Sequence, residues 1–146
     1  MPAEAQDSLE SLLSQFLRLH HQRMFSPLAK LGLYPGQPPI LAMLWERDGR
    51  TQKELAENRR LAPATVTVML QRMEKAGLIE RRSDSEDHRI IRVYLTEAGR
   101  SIRSEAEAVR QTIDGACFAG FTLEERVLLR RFLLQMIANL ERTGAE

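Results

Sequence analysis

The sequence predicts a mainly α fold with one small β-hairpin, and three observations carry that reading. Apolar residues recur with helical spacing along most of the chain. A period of two appears at Ile91, Val93 and Leu95, where apolar residues alternate with Arg92 and Tyr94. Gly and Pro cluster where helices would have to stop. With 146 residues the chain is long enough for a domain with its own core. Its 43% hydrophobic and 28% charged residues describe an ordinary globular protein.

Residues 7–31 predict a long first helix, with Leu9, Leu12, Leu13, Phe16, Leu17, His20 and Met24 along one stripe. The run Gly32–Pro39, with two Gly and three Pro, breaks it. A second helix is expected from about Pro38, carrying Ile40, Leu41, Leu44 and Trp45 and ending at the turn Asp48-Gly49. Thr51 to Glu54 has the capping-box pattern for a short third helix that contains Leu55 and Ala56. Pro63 suits the first turn of a fourth helix, where its missing N–H costs nothing. Gly77-Leu78 stops that helix: Gly77 can adopt positive φ and Leu78 can fold back on the last turn.

Strands are expected at Leu78–Arg82 and Ile90–Leu95, with Ser83 to His88 as a projecting polar tip. Thr96 can cap a long fifth helix striped by Ile102, Ala106, Val109, Ile113 and Cys117. Thr122 to Glu125 is a second capping box. It precedes a sixth helix with a wide apolar face, formed by Leu129, Phe132, Leu133, Met136, Ile137 and Leu140.

The fourth helix has two unlike sides. Val66, Met69, Leu70 and Met73 form an inner face. Thr65, Thr67, Val68, Gln71, Arg72 and Lys75 form the other, which combines short or hydrogen-bonding groups with cations. Such a face suits a DNA major groove: Gln pairs with adenine, Arg with guanine, and Val68 can touch a thymine methyl. The charge distribution agrees. Residues 59–92 carry eight bases and five acids, a surplus of three, whereas the whole chain is only +1. The positive excess thus lies on the helix and hairpin that would meet phosphates.

The segment Asp87-x-Arg89-x-x-x-Val93-x-Leu95-Thr96-x-x-Gly99 resembles the wing signature of the MarR family of bacterial transcription regulators, running into the family's fifth helix. Thr67 to Arg81 is similar to the family's recognition helix and its exit, and the order of helices matches. The resemblance covers nearly the whole chain. It implies a winged helix-turn-helix in which residues 35–99 bind DNA. Residues 1–34 and 100–146 would form a dimerisation region intertwined with it. It further implies a homodimer on pseudo-palindromic double-stranded DNA, often released by a small ligand, with Arg89 at the minor groove.

The candidate DNA contacts are Thr51, Ala64, Thr65, Thr67, Val68, Gln71, Arg72, Arg82, Asp87 and Arg89. Asp87 would aim Arg89 through an ion pair. The terminal helices carry apolar faces too wide for the central unit to cover. Leu12, Phe16, Phe132, Leu133, Met136 and Leu140 are therefore the candidate dimer contacts. In the family, effectors bind between the dimer helices and the winged helix. The candidate lining here is His20, Met24, Tyr34, Met43 and Trp45, and the expected ligand is a small aromatic or phenolic molecule.

Other classes find little support. His20 and His21 are adjacent on one helix and only His88 lies elsewhere, so neither a metal site nor a cofactor is expected. Cys117 lies on an apolar stripe and reads as a small buried hydrophobe. No catalytic constellation stands out, so an enzyme is not expected. The absence of a long apolar run and the acidic start MPAEAQDSLESLL argue against a membrane span and a signal peptide, which places the protein in the cytoplasm. Two alternatives stay open: a constitutive DNA binder without an effector, and a winged helix that docks a protein. A steep loss of DNA affinity with salt would separate DNA binding from the second.

Overall fold

The structure, a computed structural model, describes residues 8–144. The start of the acidic N-terminal stretch, including the expected first helical residue, lies outside them, as do residues 145–146. Seven helices and three short strands follow in order among the described residues. They are α1 (Leu9–Lys30), α2 (Gln37–Glu46), β1 (Arg50–Thr51), α3 (Gln52–Arg59), α4 (Pro63–Lys75), β2 (Ile79–Ser83), β3 (Ile91–Leu95), α5 (Glu97–Ser101), α6 (Arg103–Cys117) and α7 (Leu123–Thr143). The backbone packs as two compact units that divide between Gln111 and Thr112, within α6.

Local chemistry starts and stops these helices. Ser8 accepts from Ser11 N to cap α1, Thr51 from Glu54 N to cap α3, and Thr122 from Glu125 N to cap α7. At Thr122 the capping box is complete. At Thr51 it is only half made, which corrects the sequence expectation: the Glu54 carboxylate takes Arg47 Nη2 at 2.9 Å instead. Pro38 and Pro39 fall in the first turn of α2, and Pro63 opens α4, where no N–H partner is lost. The expected fifth helix is interrupted for one residue at Ile102, leaving a short α5 and a separate α6.

In the first unit the core forms under the inner side of α4. Val66, Leu70 and Met73 are buried with Ile40, Leu41 and Leu44 of α2, Leu55 of α3, and Ile79, Val93 and Leu95 of the sheet. Each fully buried aliphatic chain contributes about 1.5–3 kcal/mol of transfer free energy. The sheet has the order β1-β3-β2 and is antiparallel throughout. Ile79 pairs with Leu95 and Ser83 with Ile91, so the hairpin register puts Val93 and Leu95 inward. β1 was not anticipated. Its two residues pair Arg50 with Val93 and Thr51 with Arg92.

Helix α4 ends where Gly77 takes φ +78° and Leu78 N–H returns to Met73 O at 3.0 Å. Thr96 closes the same corner from the other side. Its N–H donates to Leu78 O at 3.1 Å and its hydroxyl to Gly77 O at 2.5 Å. Gly99 then passes so close that a Cβ there would lie 2.1 Å from Leu78 O. Only glycine fits.

The wing loop is built on Asp84. Its carboxylate accepts from the N–H groups of Glu86 and Asp87, each at 3.0 Å, and from Arg92 Nε at 2.6 Å. Arg92 Nη1 also donates to Gly49 O at 2.9 Å, which ties the loop back to the turn before β1. The Arg92 guanidinium, helped by the two backbone N–H groups, holds the Asp84 carboxyl at about 2. An unfolded Asp titrates at about 3.9, so the folded value is depressed. The clamp therefore contributes fully above about pH 4 and is lost as pH falls through about 2. NMR titration of the Asp84 carboxyl should give a midpoint near that folded value, with the Glu86 and Asp87 amides beginning to exchange in the same window. A midpoint at the ordinary aspartate value would show that the clamp does not form.

Candidate nucleic-acid interface

The side of α4 opposite the core is a continuous exposed strip. Ala64, Thr65, Val68, Gln71 and Arg72 all lie on it, and Lys75 extends it by a turn. Their spacing follows from the buried positions: once Val66, Leu70 and Met73 are anchored, these residues must point away. Val68 is 47% exposed, an apolar group in a polar surround. Thr65, Gln71 and Arg72 form no side-chain hydrogen bond or ion pair among the described residues. Their donors and acceptors are available to an outside partner.

Thr67, grouped with this strip from the sequence, stands on its flank and is half-buried. Its hydroxyl donates to Pro63 O at 3.0 Å and accepts from Gln52 Nε2 at 3.5 Å. Thr51 is likewise used internally, as the cap of α3. On the opposite flank Thr65, Met69 and Arg72 border a cavity of about 940 Å³ closed by Gly32, Tyr34 and Pro35.

At the wing tip Asp87 grips Arg89 with both oxygens. Nε reaches Oδ1 and Nη2 reaches Oδ2, each at 3.0 Å, while the Arg89 N–H adds a third bond at 3.1 Å. Arg89 remains 90% exposed, so the fork aims the guanidinium outward without covering it. The same fork lowers the Asp87 carboxyl and raises the Arg89 guanidinium. Arg82 lies nearer the wing's base. It pairs with Glu80 at 2.5 Å and sits over the Tyr94 ring at 4.9 Å. The carboxylates of Asp84 and Glu74 were missed as parts of this region. For Asp84 the sequence D-S-E-D carried an Asx-turn signal.

A second candidate site is a cavity of about 1060 Å³ bounded by α1, α2, the loop between them and the start of α6. His20, Met24, Tyr34 and Trp45 line it together, as grouped from the sequence. Met43 does not. On a neighbouring face of α2 it packs against the core, and its carbonyl accepts from Arg50 Nε at 3.0 Å. Phe25, Leu28, Leu33 and Pro38 add apolar wall, Arg18, Arg103 and Arg110 add cations, and Glu46 and Glu107 add carboxylates, Glu107 pairing with Arg103 at 2.9 Å. The Trp45 indole N–H is fixed to Gly99 O at 2.9 Å.

The dimer candidates are exposed within their own units. Leu12 and Phe16 are exposed on α1. Phe132, Leu133, Met136 and Leu140 are exposed on α7, a helix with no buried residue. Cys117, expected to be buried, is only partly so. Among the described residues no His, Cys, Asp and Glu groups gather as a metal site would need, and no helix is long and apolar enough to cross a membrane.

Comparisons with known proteins agree with this architecture. The MarR family model matches residues 33–91, from within the loop after α1 to the first residue of β3. The HTH-type transcriptional regulator TtmR of Methylorubrum extorquens is 34% identical over 107 residues, 73% of this chain and 51% of TtmR. The organic hydroperoxide resistance transcriptional regulator of Bacillus subtilis is 37% identical over 94 residues, 64% of each chain. The chain thus spans about half to two thirds of the length of these two relatives. CouR from Rhodococcus jostii RHA1, solved bound to p-coumaroyl-CoA, superposes with a TM-score of 0.75 at 26% identity, covering 91% of this chain and 93% of CouR. With the MarR family model matched across the helix-turn-helix and into the wing, the chain belongs to the MarR family of winged-helix proteins.

Proposed function

We propose that this protein is a sequence-specific DNA-binding transcription regulator, a repressor, that works by binding and performs no chemistry. The observation that carries the reading is the pairing of an unpartnered α4 face with an outward guanidinium on a clamped wing. A recognition helix reads base edges in the major groove, and a wing cation is drawn to a narrow minor groove. The names of the two curated relatives, both transcriptional regulators, support the same conclusion. Residues 35–99 are assigned to DNA and residues 1–34 and 100–146 to dimerisation. A regulator of this kind works in the cytoplasm.

The partner for the terminal helices is a second copy of the chain. Helix α7 leaves Leu128, Phe132, Leu133, Met136 and Ile137 exposed, and α1 leaves Leu12, Phe16 and Leu19. A two-fold dimer covers such faces and presents two recognition helices to a pseudo-palindrome. Sedimentation should show a dimer at micromolar concentration, and Phe132→Glu with Met136→Glu should dissociate it, because a buried charge is costly. A wild-type monomer with full DNA affinity would refute the dimer.

The cavity around Trp45 is the effector site, and the ligand class is an aromatic or phenolic acid. Its largely apolar wall, with Arg18 among a mixed set of charged groups, suits such a molecule, and CouR was solved bound to p-coumaroyl-CoA. Trp45 is the only tryptophan, so its fluorescence reports on the cavity directly. Titration with p-coumarate or salicylate should quench it saturably and release DNA in the same range. No response across a panel of aromatic acids would leave a constitutive DNA binder.

The two DNA-reading elements should separate by mutation. Arg89→Ala leaves the core untouched, so melting should not change. Affinity should fall on all sequences, most on A·T-rich flanks, and the salt slope should flatten by about one unit. Gln71→Ala should cost roughly 1–3 kcal/mol on the selected operator and far less on random duplex. Unchanged affinity and salt slope for Arg89→Ala would remove the wing from the DNA interface.

A further inference from the structure

We propose that Arg81 is a positioning residue that locks α4 to the wing, held in that role by Glu74 and Gln52, and is not a phosphate contact. The inference rests on the DNA-binding reading above. In the sequence Arg81 stands beside Arg82 at the root of a basic hairpin and looks like one more cation for the DNA backbone. The geometry gives it another use. Glu74, near the end of α4, accepts the Arg81 N–H at 2.9 Å with one carboxylate oxygen and Arg81 Nη2 at 3.2 Å with the other. Arg81 Nη1 donates to Gln52 Oε1 at 3.4 Å, and Gln52 Nε2 donates to Thr67 at 3.5 Å.

One guanidinium therefore ties together three elements: the first residue of α3, one flank of α4, and strand β2. Glu74 and Thr67 lie seven residues apart, two turns along the same flank, so Arg81 holds one directly and reaches the other through Gln52. The Arg81 side chain is 23% exposed against 61% for Arg82, and its Nε is buried without a hydrogen-bond partner among the described residues, so the two Nη groups alone carry the side chain's part of the tie. The Glu74 carboxyl lies below its usual range, first through the Arg81 N–H and then through the guanidinium. Arg81's charge is thus already answered inside the protein, and Thr67 belongs to the tie and not to the base-reading strip.

A tie and a phosphate contact make opposite predictions. Glu74→Gln removes an anion from a DNA-facing region, so under simple electrostatics DNA should bind more tightly. If Glu74 anchors Arg81, the wing loosens and affinity should fall by about 3- to 10-fold, as expected for a residue in a shared network. The measurement is fluorescence anisotropy on the selected operator duplex and on a mixed-sequence duplex across a salt series. It is paired with hydrogen exchange at the Arg81 amide in the free protein. The tie predicts weaker binding and an unchanged salt slope for Glu74→Gln, faster exchange at Arg81, and no rescue of Arg81→Gln by Arg81→Lys, because lysine lacks the fork. Tighter binding by Glu74→Gln, or a salt slope flattened by about one unit in Arg81→Gln and restored by Arg81→Lys, would overturn it. Unchanged exchange at Arg81 would overturn it without reference to DNA. Absence of wild-type binding to any duplex would instead remove the functional reading, and this inference with it.

Discussion

The fold turns on the corner between α4 and β2. Gly77 reverses the chain with a backbone that a side chain would strain, and buried Leu78 anchors the turn in the core. The corner is then used twice more. Thr96 bonds to Gly77 O and Leu78 O, and Gly99 lies against the same carbonyl. Through Trp45 Nε1 and Gly99 O the cavity lined by Trp45 reaches it as well. The exit of α4, the root of the wing, the start of α5 and one cavity wall therefore share one small piece of backbone. None can shift far without its neighbours, because packed backbone has few alternative arrangements.

Much of the fold was legible in the sequence because its signals are local. The caps at Thr51, Thr96 and Thr122, the Pro63 start and the Gly77 stop each act over a few residues. The alternation at Ile91, Val93 and Leu95 placed the inner face of β3 correctly. β1 escaped because two residues carry no periodicity: Arg50 and Thr51 form a strand only because β3 lies beside them. The break at Ile102 carried no Gly or Pro to announce it. Glu54 shows the limit of a motif, since a capping glutamate within reach of Arg47 chose the cation.

The candidate interface was legible to the same extent and for the same reason. Helical period alone separates the outer strip of α4 from its buried side. Asp87 and Arg89 are two residues apart, so their fork could be read as a spacing. What sequence cannot convey is which polar group has already been used up. Arg81 meets Gln52 across 29 residues and Arg92 meets Gly49 across 43, and nothing local hints at either. Thr67 and Met43 were misgrouped for that reason, each having the right chemistry on a neighbouring face.

The division of α4 into an outer strip and an inner anchor has a consequence for how such a protein tolerates substitution. Ala64, Thr65, Val68, Gln71 and Arg72 lie outside the core, and their polar groups are not used to hold the fold. Exchanges at exposed positions of this kind usually alter stability by no more than about 0.5 kcal/mol. The proposed DNA-reading groups and the groups that hold the scaffold therefore lie on opposite sides of one helix. Under the proposed function, the surface offered to DNA can be changed by a few outer-strip substitutions while the corner at Gly77, the Asp84 clamp and the terminal helices stay as they are. A change in what this face recognises is thus separable from loss of the fold.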